Sequence, residues 1–189
     1  VSHLKWNIAY IGIGSNVGEK AKNCLEAIQL IQNHPDCEVL RASSFYETEP
    51  LTLNLSEAPA WYVNAAIKIR TYLNVYKLFQ FLQEIEQRLG RPSIREKWSP
   101  RVIDLDLLFY NDDLIKTEAL KIPHPEIHKR RFVLEPLAEI EPDLIHPIQG
   151  KSIEKMLAQL TDNNKVIPLY RFYLSRNSAH SLEPISQDV

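Results

Sequence analysis

Cysteine is scarce in this sequence, with only Cys24 and Cys37 in 189 residues. Two thiols build neither a disulfide framework nor a metal-ligand set, and no charged-then-apolar leader stands ahead of them, so a reducing, cytoplasmic setting is expected. Long apolar runs are missing too. The longest stretches, such as Val102 to Tyr110, are broken by carboxylates and fall far short of the roughly 20 residues that a bilayer-crossing helix needs, so no membrane is expected as a partner. A positive surplus is also lacking, with 22 Lys plus Arg against 24 Asp plus Glu. The overall field therefore does not attract a nucleic-acid backbone, no nucleic-acid partner is expected, and any anion has to be held by a local cluster.

The residues that are present suit one globular domain. The chain is 44% apolar and 24% charged, long enough for one full core and too short for two ordinary domains. Asn7 to Ile13 is apolar and meets Gly12, Gly14 and Ser15, which predicts a buried strand running into a turn. From Glu19 to Gln32, Ala21, Cys24, Leu25, Ile28 and Ile31 recur at spacings of three and four. This predicts a helix that His34-Pro35 ends, with Ser15 or Asn16 as its cap. A second strand is expected over Val39 to Tyr46, then a long loop, then a third strand over Tyr62 to Tyr72. Leu78, Leu82, Ile85 and Leu89 mark a second helix that Gly90 closes in the left-handed conformation. A charged loop from Arg91 to Trp98 leads to a fourth strand over Val102 to Tyr110.

Strand, helix, strand, strand, helix, strand is the order of a ferredoxin-like α+β sandwich, an antiparallel sheet with both helices on one face and the other face left free. Short helices are expected around Glu126 to Arg130, Phe132 to Glu139 and Ser152 to Leu160. The domain is expected to cover residues 6–172, and the weakly periodic stretch 173–189 to be a flexible tail.

The most informative stretch is KWSPRVIDLDLLFY, Lys97 to Tyr110. Side chains alternate along a strand, so Asp104 and Asp106 share one face while Leu105 and Leu107 take the other. Two carboxylates so placed repel unless a cation lies between them, and a hard divalent ion suits oxygen ligands. An exposed edge strand with a wet face is the plainer explanation. Because strands disfavour Asp, the metal reading is preferred. Arg91, Arg95, Lys97 and Arg101 surround the pair, and carboxylates with metal flanked by guanidinium groups describe a polyphosphate site. GIGSNVG lacks the Lys-Ser/Thr ending of a phosphate loop, and its third dinucleotide-fingerprint position is Val17. From residue type alone, Tyr62, Asn64 and the run PHPEIHKRRF read as core and turn residues.

Taken together, AYIGIGSN, SSFYETEPL, YVNAA, EIEQRLGR, WSPRVIDLDLL and PHPEIHKRRF resemble the 6-hydroxymethyl-7,8-dihydropterin pyrophosphokinase family in order and spacing, from about Ile8 to Leu160. The resemblance implies transfer of diphosphate from ATP to the pterin hydroxymethyl group in folate biosynthesis, with AMP released. It implies two Mg²⁺ ions held by Asp104 and Asp106, and phosphate contacts from Arg101 and Arg91. Gln83, Glu86, Arg95, Trp98, His124 and Arg130 match nucleotide-site positions. Tyr62 and Phe132 would stack on the pterin ring, and Asn64 would bond its edge with help from Thr48, Pro50 and Leu51. Ser93 stands where the family often has a basic residue, Glu49 where many members have proline, and Pro125 where an aromatic is common. The implied reaction is in-line attack on the β-phosphorus, with no covalent enzyme intermediate and no general base assigned.

Two other classes share parts of this pattern. An RRM-like RNA-binding module has the same strand and helix order, but its Lys/Arg-Gly-Phe run is missing here. Another two-metal phosphotransferase would share the fold and Asp-x-Asp without sharing the acceptor.

Overall fold

The computed structural model describes residues 5–50, 60–90, 101–161, 163–175 and 180–186. The chain opens with β1 (Asn7–Ser15), α1 (Lys20–Gln32), β2 (Cys37–Ala42), β3 (Phe45–Thr48), β4 (Tyr62–Thr71), α2 (Val75–Arg88) and β5 (Asp104–Tyr110). β1 is central, antiparallel to β4 on one side and to β5 on the other. β2 and β3 both pair with β4, so the spatial order is that of the expected ferredoxin-like α+β sandwich.

Sequence pattern and observed elements agree closely over this part. α1 buries Cys24, Ala27, Ile28 and Ile31 against the sheet, and α2 buries Val75, Leu78, Leu82 and Ile85 beside it. Asn74 caps α2 by accepting the Lys77 N–H at 3.0 Å. Gly90 follows the helix with φ 98°, a conformation that favours glycine. The expected second strand divides at Ser43 and Ser44, because the Ser43 hydroxyl accepts the Ala66 N–H at 2.9 Å and replaces a ladder bond there.

Three expectations are corrected. Gly12 and Gly14 lie inside β1 and not in a turn, and the N-cap of α1 is Glu19, with no side-chain capping bond from Ser15 or Asn16. The face opposite α1 and α2 is not left free. After β6 (Ile115–Lys116), β7 (Lys121–Ile122) and a 3-10 turn at Ile127–Lys129, the chain forms α3 (Arg131–Ile140), β8 (Ile145–His146), β9 (Lys151–Ser152) and α4 (Ile153–Ala158). Leu134, Leu137, Ile140, Ile153 and Met156 from this segment pack on Tyr10, Ala66, Leu108 and Phe109, giving a second buried cluster. A bulge supplies part of that apolar face. Tyr10 pairs with Phe109 and Ile11 with Leu107, so Leu108 is the extra residue and the alternation of β5 breaks there.

The third correction concerns the end of the chain. β10 (Val166–Tyr173) pairs with β3, and β11 (Ser181–Pro184) pairs with β10, so strand forms where a flexible tail was expected. Phe172 stacks on Phe45 at 6.0 Å between ring centroids, and Leu182 packs against the main core. A four-residue strand with one inward side chain carries no periodicity to read. No helix among the described residues is long and apolar enough to cross a membrane.

The second buried layer makes a direct prediction. Leu137 is 0% exposed and Leu114 is 58% exposed. Chemical denaturation should show Leu137→Ala losing about 2–4 kcal/mol and Leu114→Ala less than about 0.5 kcal/mol. Equal losses would mean that α3 does not bury the second sheet face.

Candidate active site

The register of the three central strands decides what the site contains. Gly14 of β1 lies opposite Asn64 of β4 and Asp104 of β5, and Gly12 lies opposite Ala66 and Asp106. Cross-strand partners point to one face, so the two carboxylates stand beside two positions that have no side chain. A Cβ on Gly14 would lie 2.7 Å from Asn64 Oδ1, whereas one on Gly12 would meet only Leu108 at an ordinary 3.4 Å. Glycine at 14 therefore lets Asn64 lie across the sheet. Asn64 is buried and donates from Nδ2 to Thr48 Oγ1 at 2.6 Å, which joins β4 to β3 on the same face as Tyr62.

Arg101 is fixed from three directions. Its backbone N–H donates to Asn16 Oδ1 at 2.7 Å, and its carbonyl accepts the Asn16 N–H at 3.1 Å. Its guanidinium donates to Asp104 Oδ2 at 2.6 Å. Asn23 of α1 ties the same corner together by donating to the carbonyls of Val17 and Val102 at 2.9 and 3.3 Å. From α2, the buried Glu86 carboxylate accepts the Leu105 N–H at 2.8 Å, so β5 is held between its two aspartates.

Electrostatics then separate the two carboxyls. Burial raises the pKa of Asp106, the charge of Asp104 raises it further, and His124, Arg130 and Arg101 pull it back only in part. Burial alone would lower the Arg101 pKa, but Asp104, Tyr62 and Asp106 together raise it. His124 Nδ1 accepts the Glu126 N–H at 3.3 Å, so a neutral ring carries its proton on Nε2. The Arg130 guanidinium lies 5.7 Å from the centroid of the Phe132 ring at the start of α3.

Two carboxylates, Arg101, Arg130 and His124 thus converge on a strip of sheet floored by Gly12 and Gly14. The family model described as 7,8-dihydro-6-hydroxymethylpterin-pyrophosphokinase (HPPK) matches residues 10–142, which holds every one of these groups. The chain belongs to this family.

Named relatives match the chain over most of its length. The 2-amino-4-hydroxy-6-hydroxymethyldihydropteridine pyrophosphokinase of Bacillus subtilis is 44% identical over 135 residues, 71% of this chain and 78% of that protein. The protein of the same name from Aquifex aeolicus is 37% identical, covering 80% of this chain and 91% of its own. The folic acid synthesis protein fol1 of Pneumocystis carinii is 39% identical over 89% of this chain, which spans only 22% of that protein. A crystal structure of Plasmodium falciparum HPPK-DHPS with pteroate has a TM-score of 0.68, covering 94% of this chain and 48% of that one. At 16% identity that likeness concerns the fold.

The structure brings Arg101, Asp104, Asp106, His124 and Arg130 together, with Tyr62 near Arg101. Thr48 and Asn64 are bonded to each other. Pro50, Gln83 and Phe132 are half-buried, Gln83 one helical turn before Glu86 on α2. Arg91, Arg95, Trp98 and Leu51 lie outside the described residues, as does Ser93. Sequence reasoning missed the positioning roles of Asn16, Asn23 and Gly14. It also missed Lys20, whose Nζ donates to the Trp61 carbonyl at 3.0 Å and pairs with Glu47 at 3.6 Å. An Asn or Gly in GIGSN signals a turn or a cap equally well, and only the partner strand tells these roles apart.

Two measurements test this geometry. A carboxyl with a raised folded-state pKa binds its proton more tightly when folded. Its ionisation therefore costs stability above that pKa, and the cost vanishes below the ordinary carboxylate range. Asp106→Asn should be more stable than wild type at about pH 7 with a chelator present, and the gap should close as pH falls below about 4. A gap that widened toward acid would have the wrong sign. Gly14→Ala should push Asn64 off Thr48 and cost about 1–3 kcal/mol in denaturation, whereas Gly12→Ala should be near neutral. An equal cost at both positions would remove the close approach of Asn64 as the reason for glycine.

Proposed function

We propose that the chain transfers diphosphate from ATP to the hydroxymethyl group of 6-hydroxymethyl-7,8-dihydropterin, releasing AMP, as a step of folate synthesis. One observation carries this reading in a chain of the HPPK family: the carboxylate pair, two arginines and an imidazole meet on the side-chain-free strip of β1. Such a site holds a polyphosphate and neutralises charge as it is transferred.

The donor set fits a hard divalent cation. Asp104 and Asp106 share a face as two oxygen donors on one short stretch of strand, and burial with mutual repulsion already opposes ionisation of Asp106. Two magnesium ions there would neutralise charge on the β-phosphate and on the oxygen linking it to the α-phosphate. Arg101 sits where it can pass from Asp104 to a phosphate oxygen, and Arg130 and His124 face the same space. Gln83 contributes to the nucleotide site from α2. Glu86 supports that site through Leu105, by holding β5 in place. Arg91, Arg95 and Trp98 complete the nucleotide side in this reading.

Tyr62 and Phe132 stack on the pterin, and Asn64 bonds its edge with the Thr48 to Leu51 backbone beside it. The hydroxymethyl oxygen then attacks the β-phosphorus in line. The bond from that phosphorus to the α-phosphate oxygen breaks, and the hydroxyl proton leaves to solvent. Most of the rate comes from positioning and charge neutralisation. A cytoplasmic setting belongs to the same reading, supported by two buried, unbridged cysteines.

Incubation with ATP, Mg²⁺ and 6-hydroxymethyl-7,8-dihydropterin, followed by chromatography of the nucleotides, should give AMP and a pterin diphosphate in equal amounts. Neither should form without the pterin. ADP as the acceptor-dependent product would make the protein an ordinary kinase and end this reading.

A further inference from the structure

Thr48 ends β3 between two neighbours. On one side it pairs with Tyr62 of β4 and accepts the Asn64 amide N–H, and on the other it pairs with Val166 of β10. The next residue makes two bonds to one partner. The Glu49 N–H donates to the Lys165 carbonyl at 2.9 Å, and the Lys165 N–H donates to Glu49 Oε2 at 3.2 Å. The side chain of Glu49 thus accepts the N–H that a backbone carbonyl accepts in a regular ladder, and the pairing is extended by one residue. Lys165 lies outside residues 10–142, the part of the chain that matches the HPPK family.

We infer that Glu49 and Lys165, the residue just before β10, form a clamp that fixes the Thr48–Pro50 backbone for the pterin, making Glu49 a positioning residue for the acceptor side of the reaction. The inference rests on the function proposed above. The physical basis is the order of connections. Pro50 has no N–H to donate, and among the described residues Glu49 is the last after β3 with bonds on the β10 side. Loosening Glu49 frees the wall beside Thr48 and Asn64, whereas Arg101, Asp104 and Asp106 are anchored separately through Asn16 and Glu86. The clamp therefore acts on pterin binding and leaves the nucleotide side alone.

Steady-state kinetics of the full chain with ATP and 6-hydroxymethyl-7,8-dihydropterin test this, with melting temperatures measured alongside. Glu49→Ala, which loses the carboxylate bond, should raise the pterin KM by about threefold to tenfold and leave kcat and the ATP KM within about twofold. Glu49→Pro, which also loses the N–H, should raise it further. Glu49→Gln keeps an acceptor oxygen for the Lys165 N–H and should behave as wild type. Tyr62→Ala serves as the marker for the pterin site itself. If it raises the pterin KM while Glu49→Ala and Glu49→Pro do not, the clamp is refuted and the proposed reaction stands. If none of the three changes the pterin KM, the assignment of this face to the pterin falls together with the clamp. A lowered melting temperature with unchanged KM, or equal rises for both substrates, would show a purely structural contact and overturn the inference.

Discussion

The antiparallel register that places β1 between β4 and β5 underlies every other feature of the site. It sets Gly14 in one row with Asn64 and Asp104, and Gly12 in the next with Ala66 and Asp106. A shift of one residue would turn both aspartates toward the core occupied by Leu105 and Leu107, where ionised carboxylates have no partners. Burial of the alternate residues on each side of the sheet therefore fixes the chemistry as well as the fold. The absence of two side chains on the central strand then leaves a strip of backbone against which Asn64 and Leu108 lie.

That strip is held together by polar contacts that are each modest but act in different directions. Asn16 bonds Arg101 through both backbone groups, Glu86 bonds Leu105 between the aspartates, and Asn64 joins Thr48. Such bonds add about 1 kcal/mol each to stability. Their larger effect is to hold Arg101 and the carboxylate pair in place before any ligand arrives, which is where electrostatic catalysis gains. The Asp104 and Asp106 pair opposes this stability, since burial and mutual repulsion disfavour ionisation of Asp106. Stability is given up at the point where charge is needed.

The fold adds strands at the sheet edge away from the aspartates and helices over the face that carries them. β10 and β11 extend it beyond β3, and Phe45, Phe172 and His180 pack there, with His180 5.3 Å from the Phe172 ring. α3 and α4 cover the second face, with Arg130 and Phe132 at the leading end of α3 close to the site. The matched region makes up 78% and 91% of the Bacillus and Aquifex pyrophosphokinases but 22% of fol1.

Periodicity was enough for the sequence to indicate four strands and two helices, the second strand dividing into β2 and β3, since α1 and α2 each bury one regular set of apolar residues. It was also enough to single out Asp104 and Asp106, because two carboxylates in a buried strand conflict with local preference and need a reason. Family motifs supplied the reaction and the candidate residues of the site. The roles of Gly12, Gly14, Asn16 and Glu86 were decided only by the tertiary structure, as was the covering of the second face. Each depends on which distant residue lies across the ladder: Asn64 for Gly14, Arg101 for Asn16, Leu105 for Glu86. Pairing partners separated by tens of residues leave no local signal, so a glycine in a strand and a glycine in a turn read alike until the neighbouring strand is in place.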